Sequence, residues 1–360
     1  MKQWKQSVLG CMTAGLLMMT SFPVFAADSS SDPSGKSQSV TEGSTFDDGT
    51  LTYTILKNMQ VSVTGCITTA TNISIMPKID GYTVVSIGDQ AFAGCSALQS
   101  VTMPNGVTEI GDGAFQSCTS LQSVTLSNSI TEIPDGAFLS CSALTDIQLG
   151  DQITKIGRMA FAYCTSLTDM EIPDSVTEFG EQTFMGCSSL ESITLPETLE
   201  TLSAYMFQNC SALESFSIPD TMTDLGYLAF VGCRNLKTID ISANHPTYQL
   251  QDDVLYSKDG TELFLYPAGK TGTSFTVPDG VKTISDGAFF AAPLQSVTLP
   301  EGLERIGSGA FDYCTSLTNI TIPESVTVIQ DHAFSDCESL SSVLFAGDEE
   351  ATDNALQIGS

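Results

Sequence analysis

Residues 111–126 read Gly-Asp-Gly-Ala-Phe-Gln-Ser-Cys-Thr-Ser-Leu-Gln-Ser-Val-Thr-Leu. The end of this stretch alternates apolar and polar residues, which is the pattern of a short β-strand with one buried face. The Gly-Asp-Gly at its start indicates a turn that leads into a single helical or 3₁₀ turn. That turn is expected to direct the ring of Phe115 into the core, with Cys118 three residues behind it.

The same pattern recurs with a fixed period. Phenylalanine stands at seven positions spaced 23 residues apart, and it returns three more times after a longer interval. Cysteine follows three residues after each phenylalanine except in one unit, which has Ala292 instead. One unit cannot bury its own apolar face, so the units must stack as the coils of a solenoid. The predicted core columns are Phe92, Phe115, Phe138, Phe161, Phe184, Phe207, Phe230, Phe289, Phe311 and Phe334, with Cys95, Cys118, Cys141, Cys164, Cys187, Cys210, Cys233, Cys314 and Cys337.

The predicted fold is a solenoid of 23-residue repeats over residues 84–345, with a β-strand ladder on one face and short helical or 3₁₀ turns on the other. Residues 46–83 are expected to form an N-terminal β cap that includes a hairpin around Lys57-Asn58. An enlarged coil is predicted at about 242–276, because Asp259-Gly260 lies between two alternating segments and is a strong hairpin signal. Residues 346–360 are expected to be a C-terminal tail or a partial cap.

The period, the Ala-Phe-x-x-Cys motif, the strand motif and the insertion together resemble the BspA-like (treponemal-type) leucine-rich repeats. The resemblance covers nearly everything from Ile79 to Phe345 and includes the stretch between Asn244 and Lys270. Proteins of this family are surface proteins of host-associated bacteria. The resemblance therefore implies a leucine-rich-repeat solenoid and a role in binding and adhesion, with varied partners.

The first 26 residues have the features of a secretory signal peptide. Lys2 and Lys5 precede an apolar stretch, and Val24 and Ala26 place small residues at the positions that signal peptidase requires. A membrane anchor or a lipoprotein is the alternative, but the apolar run is short and Cys11 precedes most of it. Residues 27–45 are predicted to be a flexible linker. The mature protein is expected to be secreted or cell-surface associated, with no transmembrane segment.

The chain is strongly acidic, with 13 Lys plus Arg against 42 Asp plus Glu and a formal net charge of −29. Such a chain repels nucleic acids and anionic lipid headgroups, so neither is predicted as a partner. Solubility outside the cell is one explanation of this charge. Attraction to basic patches on a partner protein is the other.

The repeated cysteines are predicted to form a ladder of reduced, buried thiols, because equivalent positions in a stack point their side chains the same way, which is poor disulfide geometry. Disulfides are the alternative for an exported chain, since neighbouring coils lie within bridging distance. A metal site is not predicted, because thiols in a line do not converge on one ion.

No catalytic constellation can be assembled from the sequence, and no catalytic, cofactor-binding or metal-binding residue is predicted. The two histidines, His245 and His332, are unconnected and suit turn positions. The carboxylates are spread over solvent-facing turns without an apolar pocket around them. The chain is therefore predicted not to be an enzyme, and no cofactor is expected.

The outward residues of the predicted strands form a polar, Thr-rich face that is acidic in its middle. This face is either a solvated sheet or a broad docking surface for a basic or hydrogen-bonding partner. Tyrosines of the inserted hairpin are either interface anchors or packing residues. The candidate partner-binding residues are Asp146, Asp169, Glu171, Glu191, Glu214, Asp240, Tyr248, Tyr256 and Tyr266.

The predicted function is a secreted or cell-surface binding and adhesion protein that presents its repeats to host, matrix or other cell partners. The partner is a protein or a cell surface whose identity the sequence does not give. One alternative is a structural spacer or assembly module of the cell envelope without its own ligand. The second alternative is an enzyme with a site near the inserted hairpin.

Overall fold

The computed structural model describes residues 41–346 and 357–358. The predicted signal peptide, most of the predicted linker and most of the segment 346–360 lie outside the described residues.

Six short strands form the N-terminal part. The strands β1, β2 and β3 are antiparallel neighbours, and the chain turns between β2 and β3 at Asn58, which has a positive φ. The strand β6 lies parallel to β3 and antiparallel to β5. The bounds are β1 Thr45–Asp47, β2 Leu51–Ile55, β3 Gln60–Cys66, β4 Asn72–Ser74, β5 Lys78–Ile79 and β6 Tyr82–Ile87.

Each of the following coils contributes a strand of two to four residues, and most coils contribute a second strand of two. Both kinds pair in parallel with the equivalent strand of a neighbouring coil, in a 23-residue register such as Ser100 beside Ser123 and Glu132 beside Lys155. The bounds are β7 Ser100–Thr102, β8 Glu109–Ile110, β9 Ser123–Thr125, β10 Glu132–Ile133, β11 Asp146–Ile147, β12 Lys155–Ile156, β13 Asp169–Glu171, β14 Glu178–Phe179, β15 Ser192–Thr194, β16 Ser215–Ser217 and β17 Thr238–Asp240.

The enlarged coil contains three antiparallel strands: β18 Tyr248–Gln251, β19 Val254–Ser257 and β20 Glu262–Leu265. The predicted hairpin around Asp259-Gly260 joins β19 to β20. The strand β20 then pairs in parallel with the next coil and returns the chain to the solenoid. The remaining strands are β21 Ser274–Thr276, β22 Thr283–Ile284, β23 Ser296–Thr298, β24 Arg305–Ile306, β25 Asn319–Ile322, β26 Val328–Ile329, β27 Ser342–Phe345 and β28 Gln357–Ile358.

Two parallel ladders therefore run along the solenoid. The strand-face ladder contains β4, β7, β9 and β11, then the pairs β13–β15 and β16–β17, then β21, β23, β25 and β27. The second ladder contains β8 and β6, then β10, β12 and β14, then β20, β22, β24, β26 and β28. The β-solenoid of 23-residue repeats predicted from the sequence is thus confirmed.

The phenylalanine rings form a column inside the solenoid that is stacked in two runs, one from Phe92 to Phe230 and one that starts at Tyr266 and ends at Phe334. From Phe92 to Phe230, successive rings stack with their centroids 4.8 to 5.8 Å apart. Nearly all of these rings are fully buried, while Phe230 and the last ring, Phe334, are partly buried. Tyr266 occupies the column in the enlarged coil, where it stacks on Phe289 at 5.3 Å.

The predicted helical or 3₁₀ turn around each phenylalanine is wrong. The residues two before and two after each phenylalanine have positive φ, as at Met159 (54°) and Tyr163 (61°) around Phe161. A helix needs consecutive residues with negative φ, so these two left-handed residues prevent one. Each turn is instead closed by separate hydrogen bonds between residues three apart, such as those from the Ala162 N–H to the Met159 carbonyl at 3.1 Å and from the Cys164 N–H to the Phe161 carbonyl at 3.2 Å. Within the described residues, no helix is long and apolar enough to cross a bilayer.

The backbone of these turns forms a third set of bonds between coils, which we call the turn ladder. In the coils from Phe92 to Phe207 and in those of Phe289 and Phe311, the amides two before, at and two after the phenylalanine donate to carbonyls of the following coil. In the Phe207 coil the donors Tyr205, Phe207 and Asn209 make these bonds at 2.8–2.9 Å. Because each N–H points to the next coil, the peptide dipoles of the turn ladder are aligned along the stack, as they are along a helix.

The coils approach each other most closely four residues before the phenylalanine. A Cβ atom on Gly157 would lie 2.5 Å from Asp135 Oδ1 and 2.7 Å from the amide nitrogen of the same residue. A Cβ on Gly307 would meet Asp286 in the same way. Glycine at this position in these two coils therefore leaves room for the backbone of the preceding coil.

Candidate interaction surface

Six exposed carboxylates line the middle of the strand-face ladder, and we call them the acidic band. The strand Asp169–Glu171 shows how they are presented, because Asp169 and Glu171 are exposed while Met170 between them is buried. The 23-residue register then brings acidic residues from successive coils onto the same face. The members are Asp146, Asp169, Glu171, Glu191, Glu214 and Asp240, and all six are exposed.

Most of the acidic band carries uncompensated charge. Glu214 forms an ion pair with Lys237, with Nζ 2.8 Å from Oε1. None of the other five carboxylates has an ion-pair partner among the described residues. Their charges therefore face solvent together on a backbone held by the sheet. Such an arrangement attracts a basic surface and accepts hydrogen bonds from it.

The three tyrosines predicted as possible partner-binding residues are not on the surface. Tyr248, Tyr256 and Tyr266 are each 2% exposed. The Tyr248 hydroxyl donates to the Thr223 carbonyl at 2.8 Å, and Tyr266 replaces phenylalanine in the column. The antiparallel strands of the enlarged coil fold these rings against the neighbouring coils, so the tyrosines are packing residues and the prediction that they anchor a partner is corrected.

Two other tyrosines are exposed on the turn side of the solenoid. Tyr163 is 43% exposed and Tyr227 is 46% exposed. Tyr227 packs edge-on against Tyr205 with ring centroids 5.4 Å apart. The signal for Tyr227 was its place in the repeat, because the equivalent position in other coils holds outward-facing residues such as Asp112 and Glu181. Tyr227 was not named from the sequence, because the candidate surface residues were taken from the strands and from the inserted hairpin.

The cysteine column has a structural explanation that the sequence did not show. Each buried thiol donates to the carbonyl of the phenylalanine in the preceding coil, as Cys164 Sγ does to Phe138 at 3.3 Å and Cys187 Sγ does to Phe161 at 3.1 Å. Burial raises the pKa of the Cys187 thiol to about 12, so it stays protonated and remains a donor. Cysteine therefore supplies a small apolar group and a hydrogen-bond donor at once.

The prediction that the repeated cysteines are all reduced thiols is corrected at one place, Cys95. Cys95 and Cys66 form a disulfide, and the other eight described cysteines are free. Cys95 lies in the first coil, so no phenylalanine carbonyl precedes it and its sulfur points to the cap. The disulfide ties the N-terminal part to the repeats.

The histidines do not form a catalytic group with each other. His245 is fully buried, its Nε2 lies 3.0 Å from the Pro219 carbonyl, and its Nδ1 accepts from the amides of Thr247 and Tyr248. These bonds fix the chain at the entry to the enlarged coil. The described residues contain no group of three or more His, Cys, Asp or Glu side chains that could hold a metal ion.

A cleft of about 370 Å³ opens where the enlarged coil meets the regular ones, and we call it the junction cleft. It exists because the second ladder is interrupted there. In a regular coil the amide equivalent to Glu262 N donates to the preceding coil, as Glu178 does to the Thr154 carbonyl. The Glu262 amide donates to Ser257 Oγ instead, at 3.0 Å. The coils therefore separate at this point, and the buried core divides into two clusters around the enlarged coil.

The junction cleft is lined by charged and aromatic side chains. Three carboxylates face it, from Asp224, Glu262 and Asp286, together with the guanidinium of Arg305 and the exposed ring of Tyr227. Burial, with the charges of Asp224 and Glu262, raises the pKa of the neighbouring Tyr248 to about 12. The cleft thus combines negative charge with an aromatic face.

The comparisons with known proteins agree with this architecture. The model of the BspA type leucine rich repeat region (6 copies) matches residues 69–188, 154–258 and 264–356. A leucine rich cell surface protein from Faecalibacterium prausnitzii has 28% sequence identity and a TM-score of 0.71, over 86% of this chain and 96% of that one. A leucine-rich repeat protein from Bacteroides ovatus has 27% identity and a TM-score of 0.58, over 88% of this chain and 90% of that one.

A search of curated protein sequences finds no match. The family model nevertheless covers well over half of the chain, and the solved structures share its fold over most of their own length. The period, the phenylalanine column and the strand ladder are the features that carry this likeness. The chain belongs to the BspA-type leucine-rich repeat proteins.

Proposed function

We propose that the protein is a binding and adhesion protein that is secreted or displayed at a bacterial cell surface, and that the acidic band is its docking surface. Membership of the BspA-type family supports a role in protein interaction. The similarity to a cell surface protein of Faecalibacterium prausnitzii and the signal-peptide pattern of residues 1–26 support the location.

The observation that carries this proposal is the unpaired charge of the acidic band. Five carboxylates without ion-pair partners among the described residues lie on the strand face of the solenoid. Mutual repulsion of these charges opposes folding, and a basic partner surface would relieve it. Association with such a partner is accelerated by the field of the band and weakened by salt.

The test is binding of the purified chain from residue 27 onward to immobilised matrix proteins and to cells at several salt concentrations. One variant replaces four members of the band with the matching amides: Asp146→Asn, Asp169→Asn, Glu171→Gln and Glu191→Gln. A control variant makes the same change of charge at exposed carboxylates away from the band: Glu109→Gln, Glu178→Gln, Glu301→Gln and Glu324→Gln.

The band variant should bind at least about fourfold more weakly than the parent, because each exposed ion pair contributes roughly 0.2–1 kcal/mol and four carboxylates are changed. The control variant should bind like the parent. Equal weakening of both variants would show that net charge, and not the band, causes the binding. No saturable binding to any matrix protein or cell would contradict adhesion and favour a structural spacer.

A further inference from the structure

The turn ladder stops at the Phe230 coil. In the preceding coil, Tyr205, Phe207 and Asn209 donate their amides to the next coil. The equivalent amides of the Phe230 coil have no acceptor among the described residues. These open amides belong to Leu228, Phe230 and Gly232.

The enlarged coil causes this interruption. Tyr266 takes the next place in the phenylalanine column, but its amide donates onward to the Ala288 carbonyl at 2.8 Å. No stacking between Phe230 and Tyr266 is present in the described part of the chain. The space left beside the Phe230 coil is the junction cleft, and Leu228 and Phe230 line it.

The open amides beside the junction cleft are free to donate hydrogen bonds to a ligand. Leu228 and Phe230 are partly exposed in the cleft, so a ligand that enters it would cover their amides, and covered polar backbone groups are nearly always paired. The three amides stand at alternate residues, and Leu228 (φ 51°) and Gly232 (φ 82°) are left-handed, so their N–H groups are set out in a row like those of an edge strand. They also lie at the positive end of seven coils of aligned peptide dipoles, which strengthens them as donors. A row of main-chain carbonyls with the same alternation is the matching acceptor.

The side chains around the row favour basic groups on the ligand. Asp224, Glu262 and Asp286 contribute three carboxylates against the single guanidinium of Arg305. The exposed face of Tyr227 offers a cation–π contact beside them. A simple anion would meet the open amides but would be repelled by these carboxylates.

We propose that the junction cleft binds an extended peptide segment of a partner protein, whose main-chain carbonyls accept from Leu228 and Phe230 and whose Lys or Arg side chains pair with the cleft carboxylates. This inference rests on the proposed function, since it supplies a second, peptide-reading contact for the same partner class. The junction cleft differs from the acidic band because it would recognise the peptide backbone of the partner as well as its charge.

The first experiment measures amide hydrogen exchange by NMR on the isotopically labelled protein. In the free protein, the amides of the Phe230 coil should exchange at least about tenfold faster than those of Tyr205, Phe207 and Asn209. Adding the peptide acetyl-Lys-Ser-Lys-Ser-Lys-amide should slow the exchange of the amides of the Phe230 coil. Equal protection of both coils in the free protein would overturn the proposal.

The second experiment measures the affinity of the same peptide for a cleft variant with Asp224→Asn, Glu262→Gln and Asp286→Asn. The amide oxygens can still accept from Gly226 N, Ser285 Oγ and Ser308 N, as the carboxylates do. Affinity should fall about tenfold, because three charged contacts are lost. An unchanged affinity would overturn the proposal. The control is the variant with Glu109→Gln, Glu178→Gln, Glu301→Gln and Glu324→Gln, which changes exposed carboxylates outside both the cleft and the band and should bind the peptide like the parent.

Two further probes separate the parts of the proposal. Spermidine carries three positive charges without peptide carbonyls, so it should bind more weakly and leave the exchange of the open amides unchanged. Tighter binding of acetyl-Glu-Ser-Glu-Ser-Glu-amide than of the lysine peptide would identify an anion site and overturn the assignment. Loss of peptide binding in the acidic-band variant alone would overturn the cleft while leaving the proposed function in place.

Discussion

Replacing Phe161 by alanine should destabilise the protein by about 5 kcal/mol. The ring is fully buried, and its centroid lies 5.4 Å from that of Phe138 and 5.7 Å from that of Phe184. Truncating a buried phenylalanine costs roughly 3–5 kcal/mol from lost burial and the cavity that remains. Each of the two stacked ring pairs contributes about 0.5–1.5 kcal/mol beyond the free energy of burying its surface area. The expected loss therefore lies at the upper end of the range of roughly 3–5 kcal/mol.

The matched control is Phe334→Ala at the end of the column. Phe334 is partly buried and stacks on one ring, Phe311, at 5.2 Å. Its truncation should cost about 2–3 kcal/mol, close to the burial free energy of one side chain. Urea denaturation followed by circular dichroism measures both, with the slope of the transition checked for each variant. A loss below about 1 kcal/mol for Phe161→Ala, or equal losses for both variants, would refute the role of the column as the core.

Two further predictions concern titratable groups. Thiol titration of the mature protein in denaturant should find eight free thiols, and ten after reduction, because Cys66 and Cys95 are paired. Ten free thiols before reduction would exclude that disulfide. A number of free thiols near zero would mean that the cysteines of the ladder are bridged to each other. Burial and a neighbouring carboxylate raise the pKa of Asp312 from 3.8 to about 6, so the folded state binds this proton more tightly than the unfolded state and stability falls as the pH rises from about 4 to 6. Asp312→Asn should therefore leave stability unchanged near pH 4 and raise it by about 1–2 kcal/mol above pH 6, a figure reduced for partial exposure; thermal unfolding of both proteins across this range measures the difference, and a pH-independent difference would contradict the assignment.

The periodicity of the sequence was sufficient to predict the ladders and the columns. A fixed spacing of 23 residues determines the register between coils, and alternation along a strand determines which residues face out. The exposed positions of Asp169 and Glu171 follow from these two facts alone. This is why the acidic part of the candidate surface could be named before the structure.

The turns and the enlarged coil could not be predicted in the same way. Positive φ at Tyr163 and Leu228 is unusual for residues with a Cβ, and only the bonds between coils enforce it. The direction of Tyr248 and Tyr256 depends on how the antiparallel strands fold back onto the solenoid, which no repeat encodes. The open amides of the junction cleft arise from an interruption in a pattern, so they become visible only when all the coils are in place.

The thiol of each free cysteine bonds to a carbonyl of the coil before it, and no second cysteine is needed to complete the contact. The thiols of such an array do not have to come in pairs, so the array can gain or lose one coil at a time without leaving a cysteine whose contact is incomplete. Duplication and deletion of single repeats should then produce proteins of different reach that all remain foldable in an oxidising environment. The length of the molecule is consequently free to change in evolution independently of its chemistry.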